Sequence, residues 1–148
     1  MSKKQDSLLR KYAESVGGVI FTEIAVGERS RYSERRYIDG VRVVAPGVSP
    51  GEVQKLHGEE FRKLIEGKTV EAIEVDDDLN RWVIGQAVVG KHMLEIRYGV
   101  YAAIPVVVCK VRDESREQAC ARLGVKVWCT RQDRFLVPVA SSSKQAAA

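Results

Sequence analysis

The chain has 148 residues, of which 45% are hydrophobic and 30% charged, and its net charge at neutral pH is +4. A chain of this length fits one domain, since it can bury roughly 70% of the surface that its unfolded form exposes. It contains no apolar run of the ~20 residues that a membrane span needs, no secretion signal in its first residues and no CxxC pair. These features predict a cytoplasmic protein with buried free thiols and no membrane partner, and the single asparagine among many charged residues suggests a thermophile.

The first half of the chain predicts a helix followed by a β-hairpin. A flexible segment over residues 1–6 precedes the helix, which begins near Ser7, whose hydroxyl can cap it, and ends at Gly17. Apolar, β-branched runs predict strands over 19–26 and 36–45, and two such strands in succession are expected to pair in an antiparallel hairpin.

The loop of this hairpin is strongly basic. Its sequence, ERSRYSERR, surrounds Tyr32 with four arginines: Arg29, Arg31, Arg35 and Arg36. Such a loop could hold the phosphates of a nucleic acid while the tyrosine ring stacks on a base. The alternative interpretation is a solvated loop without a partner.

The second half follows a turn marked by Pro46, Gly47, Pro50 and Gly51. It predicts, in order, a helix over 52–66, a strand over 68–75, a long helix ending before Gly99, a strand over 100–111, a short helix from Asp113 to Gly124, and strands over 125–130 and 135–139. Because Pro105 lacks an amide donor, the fourth strand is expected to begin properly at Val106. This order predicts one α/β domain over residues 7–139, with a mixed sheet between helices, and a disordered tail over 140–148.

Acidic side chains fall on two of the predicted strands. Asp39 shares a face with Tyr37, Val41 and Val43, and Gly40 beside it would let another group approach the backbone. Glu74 and Asp76 share a face of the next strand, because side chains alternate along a strand. A carboxylate in a strand rich in valine and isoleucine needs a cation or several donors beside it, so the aligned acids predict a metal. The acids that follow, Asp77 and Asp78, are interpreted as helix caps.

The long helix is predicted to bury one stripe, formed by Leu79, Trp82, Val83, Gln86, Gly90 and Met93. The amide of Gln86 must find partners inside the protein, either at a functional site or simply on the backbone of a neighbouring loop. Ile84 and Val88 lie opposite this stripe and predict a contact with a second subunit, so a homodimer is expected.

Three segments in this order and spacing, RRYIDGVRV, VEAIEV and LNRWVIGQ, resemble the PD-(D/E)XK nuclease superfamily and especially its small RecB-like members. The resemblance covers roughly residues 8–129 and implies a restriction-endonuclease-like fold with an α-β-β-β-α-β core. It also implies that Asp39, Glu74 and the carbonyl of Val75 hold a divalent metal, with Glu14 as the further acid that some members carry. Such oxygen ligands suit Mg²⁺ or Mn²⁺.

Asp76 departs from the pattern, because the superfamily usually has a lysine there. Since some members carry an acid or an amide at this position, Asp76 is interpreted either as a base or second-metal ligand, or as the mark of an inactive site. The resemblance therefore implies a metal-dependent nuclease acting on DNA, or on RNA, with Asp39, Glu74, Asp76 and Gln86 as catalytic residues and the four arginines of the basic loop on the phosphates. The alternative is a nuclease-fold protein that has lost catalysis and serves in nucleic-acid binding or assembly.

Overall fold

A computed structural model describes residues 1–43 and 51–137. The helices and strands are α1 (Lys3–Val16), β1 (Val19–Gly27), β2 (Arg36–Val43), β3 (Glu52–Gln54), α2 (Gly58–Ile65), β4 (Thr69–Asp78), α3 (Arg81–Tyr98), β5 (Ala102–Val111), α4 (Glu114–Leu123), β6 (Lys126–Cys129) and β7 (Arg134–Phe135). Most of the predicted turn at 46–51, the last two residues of the predicted final strand and the predicted tail lie outside the described residues.

One mixed sheet of seven strands, in the order β3-β1-β2-β4-β5-β6-β7, forms the centre of the fold. β2 is antiparallel to both β1 and β4, whereas β4, β5 and β6 are parallel to one another. On one face, Leu9 and Tyr12 of α1 pack on Ile73 of β4. On the other face, α2 and α3 cover Val70 and Ala72 of the same strand. The prediction of an α/β domain with a mixed sheet flanked by helices is therefore confirmed.

Local signals predicted several elements well. The β1–β2 hairpin is antiparallel as expected, and α4 begins after the cap Asp113 and ends at Gly124, whose left-handed backbone suits glycine. The three cysteines are buried and free. No helix in the described ranges is long and apolar enough to cross a membrane.

Two boundaries in the first half differ from the prediction. α1 begins at Lys3, not near Ser7, because Ser2 and Gln5 form a reciprocal capping box that starts the helix earlier. The helix predicted over 52–66 is divided into β3 and the shorter α2, since Val53 pairs with Ile20 at the edge of β1. Much of the segment assigned to a flexible N-terminus is thus helical.

β5 also differs, because it runs through Pro105 instead of starting after it. At this position β5 pairs with Ala72 of β4 on one side, whereas its pairing with β6 begins only at Val106. The missing amide of the proline therefore falls where the strand is locally an edge, which is where proline is tolerated.

The acids after Glu74 belong to a strand and not to a helix terminus. β4 continues to Asp78, which pairs with Val111 of β5, and α3 begins at Arg81 with Asn80 as its cap. The interpretation of Asp77 and Asp78 as helix caps was therefore wrong. Pairing with β5 holds the end of β4 extended although aspartate is a poor strand former.

The predicted stripe on α3 was partly wrong. The buried residues of this helix are Val83, Ile84, Ala87, Gly90, Leu94 and Tyr98. Trp82 and Gln86 are exposed, because α3 packs one side on the sheet and an adjacent side on α4, so that only part of the predicted stripe is covered. Ile84 and Val88, on which the dimer prediction depends, pack inside the chain against the cluster that contains Cys120 and Val127.

A buried polar cluster ties α1 to the sheet. Glu71 of β4 accepts a hydrogen bond of 2.6 Å from the hydroxyl of Tyr12 and forms an ion pair of 3.1 Å with Arg42. Arg42 also donates to the carbonyls of Val16 and Gly17 at the end of α1. Removing one partner of a buried ion pair typically costs about 3–5 kcal/mol, so each group here is held by the others.

Candidate metal and nucleic-acid site

Asp39 and Glu74 meet where β2 and β4 separate. The paired register of these strands ends at Gly40 and Ile73, one position before the two acids. Beyond this point the amide of Val75 donates a hydrogen bond of 2.9 Å to Oδ2 of Asp39 instead of to a carbonyl of β2. The carboxyl groups of Asp39 and Glu74 lie close enough to shift each other's pKa, so the structure brings together the two acids that the sequence singled out.

An irregularity in β2 sets the position of Asp39. Ile38 lies against Gly90 of α3, whereas Gly40, two residues later, faces Leu9 of α1, so these residues lie on opposite faces of the sheet. The predicted alternation through Tyr37, Asp39 and Val41 is therefore interrupted. A Cβ on Gly40 would lie 2.9 Å from a methyl group of Ile20, which confirms the expected close approach to this glycine.

The acid pair holds a proton at neutral pH. Glu74 is buried, and burial together with the charge of Asp39 raises the pKa of Glu74 to about 9. Burial also raises the pKa of Asp39, although the hydrogen bond from Val75 works in the opposite direction. Two carboxylates in contact at a poorly solvated position cannot both ionise without a positive charge beside them.

A comparison within β4 shows what this pair lacks. Glu71 is buried on the same strand as Glu74, but Arg42 neutralises Glu71 with an ion pair. Among the described residues, no lysine, arginine or histidine forms an ion pair with Asp39 or Glu74, and the Met1 ammonium, whose charge lowers the pKa of Asp39, is itself paired with Glu23 at 2.9 Å. A divalent cation could neutralise both carboxylates at this position without needing a basic side chain.

The donors at this position fit a hard metal ion. Both acids offer carboxylate oxygens, and Val75, which follows Glu74, offers a backbone carbonyl. That carbonyl accepts a hydrogen bond of 3.2 Å from Nε2 of Gln5, which leaves its second lone pair available. In the described part of the chain, no three His, Cys, Asp or Glu side chains converge. A metal held here would therefore take its remaining ligands from water or substrate, as Mg²⁺ commonly does.

Asp76 is engaged in the turn that leads into α3. Its Oδ1 accepts a hydrogen bond of 2.7 Å from the amide of Asp77, and its Oδ2 accepts one of 3.0 Å from Nδ2 of Asn80. Asn80 in turn caps α3 through a 2.8 Å hydrogen bond from the amide of Val83. Asp76 thus fixes the start of α3 relative to the acid pair.

Of the other predicted site residues, Gln86 lies close to the acid pair and Glu14 does not. Gln86 lines a groove together with Glu74, although it is exposed and not buried as expected. Glu14 is exposed near the end of α1, about 13 Å along the helix from Gln5. The structure therefore brings Gln5, and not Glu14, from α1 to the site.

The basic loop lies beside this groove. Arg29, Arg31 and Arg36 line a cavity of about 590 Å³, and Arg36 also lines the groove that contains Glu74. Arg35 is turned toward the hydroxyl of Tyr37 and toward Glu28 instead. Arg36 is therefore the predicted phosphate contact that comes nearest to the acid pair.

Sequence reasoning missed three residues that the structure places at the site. Gln5 reaches the carbonyl of Val75, and Arg81 and Trp82 line the groove beside Glu74. The capping box from Ser2 to Gln5 was a signal for the first. Trp82 was assigned to a buried stripe but is exposed, and nothing in the sequence singled out Arg81. Compared with known proteins, the chain matches no family model, no curated protein and no solved structure.

Proposed function

We propose that the protein is a divalent-metal-dependent nuclease that hydrolyses phosphodiester bonds of DNA. The observation that carries this proposal is the buried pair of Asp39 and Glu74, which no lysine, arginine or histidine among the described residues neutralises with an ion pair. A buried acid pair without a cation is costly to keep unless it has a function. Its position beside a groove lined by Arg36 favours an anionic substrate.

The connectivity supports the restriction-endonuclease-like fold that we propose for the chain. α1, β1, β2, β4, α3 and β5 follow one another with only β3 and α2 inserted, and their strands pair antiparallel, antiparallel and parallel. This is the α-β-β-β-α-β order that the resemblance to PD-(D/E)XK nucleases implies. Asp39 and Glu74 stand on its second and third strands, as in that pattern.

Each residue of the site has a defined task in this proposal. Asp39 and Glu74 would hold Mg²⁺ or Mn²⁺, and Glu74 would release its proton when the ion binds. Gln5, which donates a hydrogen bond to the carbonyl of Val75, would hold this carbonyl in place as a third ligand. The bound ion would supply an activated water and neutralise charge on the phosphate. Arg36 would contact a neighbouring phosphate, and the amide of Gln86 would orient a substrate or water oxygen from the groove wall.

One observation favours a second function, that of a nuclease-fold protein which binds nucleic acid without cutting it. Asp76 takes the place of the usual lysine, and both of its oxygens are engaged by the turn into α3. Lys91 does not replace it, because its ammonium group is paired with Glu95 at 2.7 Å. In the described residues that line the groove there is no lysine.

An assay with metal and chelator separates these functions. Single-stranded, duplex and branched DNA, and RNA as a comparison, would be incubated with the protein and either Mg²⁺, Mn²⁺ or EDTA. The proposal predicts cleavage of DNA with either metal and none with EDTA. Binding to DNA without any cleavage would reject the enzyme and support the binding protein, and the absence of both would reject both functions.

A further inference from the structure

Two exposed aromatic side chains line the groove beside Glu74. The groove has a volume of about 390 Å³ and lies between β2 and the first half of α3. In its wall, Trp82 is 74% exposed and Tyr37 is 52% exposed. Tryptophan is usually well buried, so an indole with this exposure beside a groove indicates a surface that binds a ligand.

The charge of the groove indicates an anionic ligand. Arg36 and Arg81 line it, and Glu74 is its only carboxyl group among the described residues. Arg36, which also lies 3.8 Å from Glu34, connects the groove to the cavity of the basic loop, where Arg29 and Arg31 stand beside Glu28 and Glu34.

Exposed aromatic rings next to arginines are typical of surfaces that bind single strands. A ring can stack only on a base whose face is free, and in a duplex each base face is covered by its neighbours. The arginines provide phosphate contacts that do not depend on sequence. An apolar protein partner would not need these charges beside the rings.

The backbone at Trp82 is fixed by the helix cap. This residue lies in the first turn of α3, which Asn80 caps and which Asp76 ties to the end of β4. One turn further, a Cβ on Gly85 would meet no atom within 4 Å, so the surface next to the indole is open. A base stacked on Trp82 would therefore meet no obstacle from the helix.

We propose that this groove receives single-stranded nucleic acid, with Trp82 and Tyr37 stacking on bases. Arg36 and Arg81 contact the phosphates between those bases. The inference rests on the proposed nuclease function and names the form of its substrate: a free strand, or the unpaired end of a duplex, passes over α3 and brings a phosphate to Asp39 and Glu74.

The test measures binding in EDTA, where the strand stays intact. A single-stranded oligothymidylate of about ten nucleotides should quench the fluorescence of the exposed indole, and Trp128 will not respond because it is only 1% exposed. By anisotropy of a labelled strand, Trp82→Ala should weaken single-strand binding about 5- to 100-fold, as expected for the loss of one base–aromatic stack. Trp82→Phe should keep most of the affinity, and duplex binding should change little in either variant.

Tyr101→Ala is the matched control, because Tyr101 is 81% exposed but lies outside the groove, before β5. The inference is overturned if the wild type does not bind the single strand, if Trp82→Ala binds it normally, or if duplex binding suffers equally. It is also overturned if the indole becomes shielded as protein concentration rises without DNA, since a second copy of the chain would then occupy the groove. If the protein binds the single strand as described but cleaves no DNA, this inference is supported and the nuclease function is refuted. If Trp82→Ala cleaves DNA as fast as the wild type, only this inference is refuted.

Discussion

Asp39→Asn is expected to lower metal-dependent DNA cleavage by at least about 100-fold. Asparagine keeps the size of the side chain, and its carbonyl can still accept the hydrogen bond from Val75, so the fold should be preserved. It removes one of the two carboxylates that are proposed to hold the metal ion. Because the charge stabilisation that a metal provides in the transition state is worth several kcal/mol, its loss corresponds to a rate change of this size.

The rate would be measured on the DNA substrate that the wild type cuts best, at saturating metal. Asp133→Asn is the matched control, since Asp133 is exposed in the turn before β7 and asparagine tolerates its left-handed backbone. Melting temperatures of both variants should remain close to that of the wild type. Cleavage by Asp39→Asn at more than about a tenth of the wild-type rate would contradict a catalytic role for this carboxylate.

The stability of the metal-free protein is expected to fall as pH rises from about 5 to 8, and Glu74→Gln should remove this fall. Glu74 has an ordinary pKa of 4.5 in the unfolded chain and a pKa of about 9 in the folded protein. The folded state therefore binds one more proton than the unfolded state between these values. Its stabilising contribution is complete below the lower pKa and is lost as pH rises towards the higher one.

One proton bound only in the folded state changes the free energy of unfolding by up to about 1.4 kcal/mol per pH unit. Glutamine resembles the protonated acid, so the difference between Glu74→Gln and the wild type should widen with pH, in favour of the variant. Urea unfolding in EDTA across this range would measure the difference. Glu60→Gln, at an exposed position of α2, is the control, and its free energy of unfolding should depend on pH as that of the wild type does. A pH-independent difference for Glu74→Gln would mean that Glu74 is ionised in the folded protein.

The sequence predicted those parts of the fold that local signals determine. The hairpin follows from alternating β-branched residues, and α4 follows from the cap at Asp113 and the glycine at Gly124. Asp39 and Glu74 could be singled out for the same reason, because an acid in an apolar strand is visible without any structure. That they contact each other required the register of β2 against β4, which sequence alone did not provide.

The sequence-based predictions failed where contacts between segments far apart in the chain decide the local structure. Leu9 of α1 lies over Gly40, and the alternation of β2 breaks at this point, although nothing in the strand itself predicts a break. α3 has apolar residues on most of its circumference, so its sequence alone could not show that Trp82 would be exposed and Ile84 buried. Pairing with β5 keeps Asp78 in a strand although aspartate has a low strand propensity.

A calorimetric titration with Mn²⁺ tests the central claim most directly, namely that Asp39 and Glu74 together form a metal site. At about pH 7.5, we expect one Mn²⁺ to bind per chain and to release about one proton, which buffers of different ionisation enthalpy would reveal. Asp39→Asn and Glu74→Gln should each abolish this binding, and Asp133→Asn should not. The absence of saturable Mn²⁺ binding by the wild type, or equal binding by all four proteins, would contradict the claim.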